Sequence, residues 1–259
     1  MSKFESRLRD VRRVIGRAVV SLFAACLAPA VASAADAPDI VGLRPGMSEQ
    51  QALAALQAHD AGFQIRRNLR TFGYRDGVQQ LQTPAHLHVI TATNPGETIR
   101  IAFSVGPDDV RVTSVSREVR LKAPPMVDQL TEQVVGKYGA PTVTSDGKTP
   151  PRRTLAWAEP GKAACWRTNP KSTAIAFGDG NVVSFMANAQ RRGVAPADPA
   201  QCGYAIVALL DGSPVRKLRV TITDFGAWYA SDVKAAAWVT ALENEAVAAR
   251  KAKGGGPKL

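Results

Sequence analysis

Three stretches of alternating residues, His86 to Thr93, Thr98 to Val105 and Val110 to Leu121, follow one another, separated only by Asn94-Pro95-Gly96 and Gly106-Pro107-Asp108. Period-two alternation is the mark of a strand, and linkers this short and this rich in Pro, Gly and Asp turn the chain straight back. The expected form is an antiparallel meander. A meander needs a layer to pack on, so the segments on either side of it decide the fold class.

Before the meander, Ser48 and Gln51 form the pattern of a capping box, with Leu53 and Leu56 at helical spacing behind it, so a short helix is expected to end near His59 to Gly62. Phe63 to Asp76 is expected to be extended or looped. After Ala123-Pro124-Pro125 the pattern begins again. Met126, Leu130, Val134 and Tyr138 repeat every four residues, and Gly139 and Pro141 end that helix. A polar loop is expected next, with Asp146 as a turn residue. Strands are expected at Thr154 to Ala158, Ser172 to Phe177, Val182 to Ala187, Tyr204 to Leu210 and Val215 to Thr223. From about Ala227 to Ala252 an alanine-rich stretch carries Trp228, Tyr229, Val233, Trp238, Leu242 and Ala246 near helical spacing, so a long helix is expected, its stripe packed on the sheet or docked on a partner. The fold class is α+β: two helix-plus-antiparallel-meander units packed together, with a long C-terminal helix. The expected boundaries are 35–122 for the first unit, 123–226 for the second, 227–252 for the helix and 253–259 for a disordered tail.

Two phrases carry a resemblance. Gly42 to Leu56, with its Gly46-Met47-Ser48 helix entry, and Val134 to Pro141 followed by a strand ending at Trp157, resemble the helix-then-meander units of small bacterial envelope proteins. These are the BamE-like (SmpA/OmlA) outer-membrane assembly lipoproteins and the related fold of the β-lactamase inhibitor protein. The resemblance implies helices layered on an antiparallel sheet, and binding without catalysis.

Residues 1–34 read as a secretion signal. Lys3, Arg7, Arg9, Arg12, Arg13 and Arg17 make a basic start, Ala18 to Val31 an apolar run, and Ala32-Ser33-Ala34 a small-x-small cleavage triplet. Arg12-Arg13 leaves twin-arginine export open, and Cys26 after Phe23-Ala24-Ala25 leaves lipidation open. The expected location is the bacterial periplasm or outside the cell, after cleavage near Ala34. There the remaining pair, Cys165 and Cys202, is expected to form a disulfide. The formal net charge is +11, and it stays positive once the signal, with six basic and two acidic residues, is removed. The basic residues are scattered, so a nucleic-acid partner is not expected. An acidic protein face, anionic lipid or anionic glycan fits better.

The most suggestive binding segment is Phe63 to Arg75. Arg66, Arg67, Arg70 and Arg75 alternate with Phe63, Phe72 and Tyr74, offering cations for acidic groups and flat faces for stacking. The competing reading is an edge strand kept from aggregating by charge. His86 and His88, two apart on a strand, share a face but have no third metal ligand at a convincing spacing, so neither a metal nor a cofactor is expected. His59 reads as a charge at a helix C-terminus, and Trp166 as packing on the disulfide. Asp224-Phe225-Gly226 matches a kinase triplet with none of its accompanying motifs. The expected function is therefore non-catalytic binding in the envelope, as adaptor or protein inhibitor. The alternative is a periplasmic hydrolase with dispersed catalytic residues acting on cell-wall or anionic substrates.

Overall fold

Ser48 stops an extended segment and starts α1 (Glu49–His59) with a complete capping box. Its side chain accepts the Gln51 N–H at 3.3 Å, and the Gln51 side chain accepts the Ser48 N–H at 2.9 Å. The computed structural model describes residues 38–107, 110–148, 151–167 and 177–253. The segment expected to be a signal, with Cys26, the expected C-terminal tail, Asp108 and the strand expected over Ser172 to Phe177, apart from Phe177 itself, lie outside the described residues.

After α1 come β1 (Gln64–Arg70), a small hairpin of β2 (Gly73–Arg75) and β3 (Gln80–Gln82), then β4 (His86–Thr93), β5 (Glu97–Phe103) and β6 (Val112–Arg120). The second half runs α2 (Val127–Tyr138), β7 (Val143–Lys148), β8 (Pro151–Ala158), α3 (Val182–Arg191), β9 (Tyr204–Gly212) and β10 (Val215–Asp224). The long α4 (Phe225–Lys253) comes last among the described elements. Among the described residues eight strands form one antiparallel sheet in the order β1-β4-β5-β6-β10-β9-β8-β7. Each helix-plus-meander half contributes four of them, and the halves join where the last strand of one, β6, pairs with the last strand of the other, β10.

Two sequence expectations are corrected. Val182 to Ala187 is the start of a helix, not a strand. Asn181 caps α3 by accepting the Ser184 N–H at 3.0 Å, and Val182, Met186 and Ala189 form a buried stripe of helical period that outweighs the β-branched pair at its start. The polar loop expected after α2 contains β7, and Asp146 sits within that strand, bonded to Arg153 at 2.9 Å. β7 is an edge strand exposed along nearly its whole length, so it carries no apolar alternation to announce it.

The two sheet faces bury different layers. Along β10, Leu218, Val220 and Ile222 point to one face, and Lys217, Arg219, Thr221 and Thr223 to the other. On the first face Ala52 and Leu56 of α1 and Leu130 and Val134 of α2 share a core with Ile99, Ile101, Val115, Leu155 and Ile222. Gly139, at φ 79°, turns the chain out of α2, and Trp157 donates from Nε1 to its carbonyl at 2.9 Å. On the second face a separate core gathers Ala156, Ala205 and Val207 under Val182 and Met186 of α3 and Phe225 and Trp228 of α4. The disulfide between Cys165 and Cys202 lies in this core beside the buried Trp166. The hydroxyls of Ser114 and Thr223 bond at 2.7 Å across the β6–β10 seam. Gly178 packs where an added Cβ would stand 3.0 Å from the Ser114 Cβ, so the loop before α3 lies close on the sheet.

Beyond the sheet, α4 runs on past Trp238, which faces Gly106, to reach the β2–β3 hairpin. Arg250 pairs there with the buried Asp76 at 2.5 Å. That hydrogen bond, with backbone donors from Gln79 and Val78, holds the Asp76 pKa down to about 2.

Candidate functional site

The second face of the sheet is roofed by α3, α4 and the loop before α3 over only part of its area. Register places its side chains in successive rows. The row Asn68–Val89–Ala102–Ser114–Thr223–Ala205–Ala158 is dominated by small residues. The next, Arg66–Thr91–Arg100–Ser116–Thr221–Val207–Ala156–Val143, is mixed. Further out Thr98, Glu118, Arg219 and Leu209 align, and last come Arg120, Lys217, Asp211 and Arg152. Small residues let helices approach the sheet, whereas the outer rows are too long and too charged to be covered in this way. A basin of about 460 Å³ remains open over Arg100, Glu118, Arg152, Phe177, Leu209 and Arg219.

The charges in this basin are ordered in depth. Arg152 pairs with Asp211, Arg219 with Glu118 at 3.0 Å from Nε, and Lys217 bridges both carboxylates at 3.5 and 4.0 Å. The carboxylates lie lower, with side chains 19% and 27% exposed, while the guanidinium-bearing side chains of Arg152 and Arg219 are 46% and 44% exposed. Arg100 pairs with Asp179 and stacks on Phe177, 4.5 Å from the ring centroid. Ion pairs this exposed contribute little to stability, about 0–1 kcal/mol each. Their effect is positional: floor carboxylates hold planar cations upright on a rigid sheet, with donors left over for an incoming acidic group.

The Phe63 to Arg75 segment is dispersed rather than gathered into one patch. Phe63 is half-buried against the main core, with its ring centroid 5.9 Å from that of His59. Arg67 pairs with Glu49 of α1 at 2.6 Å, and Tyr74 lies across from Leu81 in the hairpin. Arg66 is in the mixed row and exposed. β1 is one of the two edge strands of the sheet. Only Arg70 and Phe72 come together, the guanidinium 5.1 Å from the ring centroid. No protein family, curated protein or solved structure matches the chain.

His59 ends α1 and meets Glu97 at 3.1 Å, a carboxylate also held by Arg117 at 2.5 Å. His86 stacks on Phe72 at 5.2 Å, and its ring nitrogens are buried. Among the described residues, His86 and His88 gather no third metal ligand. Burial lowers both pKa values, and Arg70 lowers them further. The unfolded chain therefore takes up protons at these positions before the folded one does. Their effect on stability is complete above the unfolded histidine pKa of about 6.5 and is lost as the pH falls through the lowered folded values. Thermal midpoints are expected to fall on moving from pH 7.5 to pH 5, and His86→Phe is expected to reduce that fall. An equal fall in the variant would place the acid sensitivity elsewhere.

The basin arginines were not singled out from sequence, because each is paired across strands distant in the chain. The available signal was the alternation Lys217-Leu218-Arg219-Val220-Thr221-Ile222-Thr223, which marks one face of β10 as polar.

Proposed function

We propose that the protein is a non-catalytic binding protein of the bacterial periplasm or cell envelope, acting as adaptor or inhibitor toward a protein with an acidic surface. The carrying observation is the basin floor, where Asp211 and Glu118 hold Arg152 and Arg219 outward on neighbouring strands. A sheet presents such groups at fixed spacing with little conformational freedom left to lose on binding. The export signal and the Cys165–Cys202 disulfide support an oxidising compartment outside the cytoplasm. Among the described residues no helix is long and apolar enough to cross a membrane. The resemblance of Gly42 to Leu56, and of Val134 to Pro141 with the strand ending at Trp157, to helix-then-meander envelope proteins supports binding over catalysis.

The test is affinity capture from a gently crosslinked envelope extract, followed by washes at about 0.15 M salt, where exposed charges are screened beyond about 8 Å. One stoichiometric protein that survives the wash is the expected result. Recovery of only anionic lipid or glycan, released by the same wash, would overturn the reading.

A further inference from the structure

A second concavity, of about 480 Å³, opens between β2, the start of α3 and α4, and shares no lining residue with the sheet basin. Its walls are largely apolar, from Phe72, Val183, Ala236 and Val239, and Val183 is 41% exposed. Two charged groups, Arg70 and Asp232, also face it. Among the described residues neither forms an ion pair, with the other or elsewhere. Arg70 lies on the Phe72 ring, and one oxygen of Asp232 accepts the Val182 N–H at 3.4 Å. At the start of the same helix, Ser184 N–H is held by Asn181 at 3.0 Å.

The two unpaired charges limit what the cleft takes. A wholly apolar guest would strip water from Arg70 and Asp232 and return nothing. A simple anion would be repelled by Asp232, and a simple cation by Arg70. We propose that the cleft binds a short apolar peptide with free ends: its ammonium donates to Asp232, its carboxylate accepts from Arg70, and its side chains lie against Phe72, Val183, Ala236 and Val239. The volume lies within the usual range for small-ligand sites, about 300–1,000 Å³.

The test is titration calorimetry of the purified protein with the dipeptide Leu-Phe, its N-acetyl form and its C-terminal amide. Leu-Phe is expected to bind saturably, with each blocked form weaker by at least about tenfold. Arg70→Met is expected to make Leu-Phe and its amide equal while leaving the penalty for N-acetylation. Ala236→Trp, at an exposed position on α4 that lines the cleft, is expected to abolish binding of all three with the fold intact by circular dichroism. No saturable binding of Leu-Phe at millimolar concentration, or equal binding of the three ligands, would overturn the proposal.

Discussion

Replacing Cys165 and Cys202 together by Ala is expected to lower the thermal midpoint by about 10 °C. The bridge closes a loop with a sequence separation of 37. In the chain-entropy view, closing such a loop contributes about 4 kcal/mol by restricting the unfolded chain. A protein of this size shifts by about 2–4 °C per kcal/mol. Both cysteines are buried in the α3–α4 core with Trp166, so Ala leaves little cavity and no exposed polar group. The loss should appear first in that core, as faster amide exchange in α3 and around Pro199–Gln201, while β4, β5 and β6 keep their protection. Calorimetry of the double variant beside the native protein checks it. A shift below about 2 °C would show that the loop is already restricted without the bond.

Trp157→Ala has a comparable cost on the opposite face. The ring is 5% exposed, lies 5.6 Å from Tyr138 between centroids, and bonds the Gly139 carbonyl that ends α2. Removing a buried Trp of this kind costs about 3–5 kcal/mol, and the Gly139 carbonyl also loses its partner. Trp157→Phe retains most of the packing and gives up the bond, for about 1 kcal/mol. Urea unfolding of both variants separates the two contributions. If Phe costs as much as Ala, the bond to Gly139, and not the packing on α2, is what holds the helix to β8.

Much of this architecture was legible because it is encoded locally. The capping box at Ser48 and Gln51, the four-residue repeat from Leu130 to Tyr138 and the alternation through β4, β5 and β6 each lie within a dozen residues. The long C-terminal helix was visible in its alanine content and spaced aromatics, and the disulfide in the pairing of Cys165 with Cys202. What escaped is set by tertiary context. β7 has no apolar face because it is an exposed edge, and α3 begins with two valines that favour a strand until Asn181 and the Val182–Met186–Ala189 stripe decide otherwise. The arginine-rich segment looked like one patch because its residues are adjacent in sequence. Strand alternation and a bulge at Asn68–Leu69 send them to different faces. The basin could not be read in advance, because Arg152–Asp211 and Glu118–Arg219 are contacts between strands 59 and 101 residues apart.

The most direct measurement compares charge reversals on the two faces of the sheet. Arg152→Glu with Arg219→Glu alters the open basin, and Arg44→Glu with Lys137→Glu makes the same change in net charge on the helix-covered side. All four side chains are exposed, but the basin reversals set new carboxylates beside Asp211 and Glu118, so circular dichroism and thermal midpoints of both variants accompany the capture. The basin variant is expected to lose the captured partner by about a hundredfold or more, and the control to retain it nearly unchanged. Equal losses would mean that net charge alone governs the association. Retention by the basin variant would contradict the assignment of the open sheet face as the binding surface.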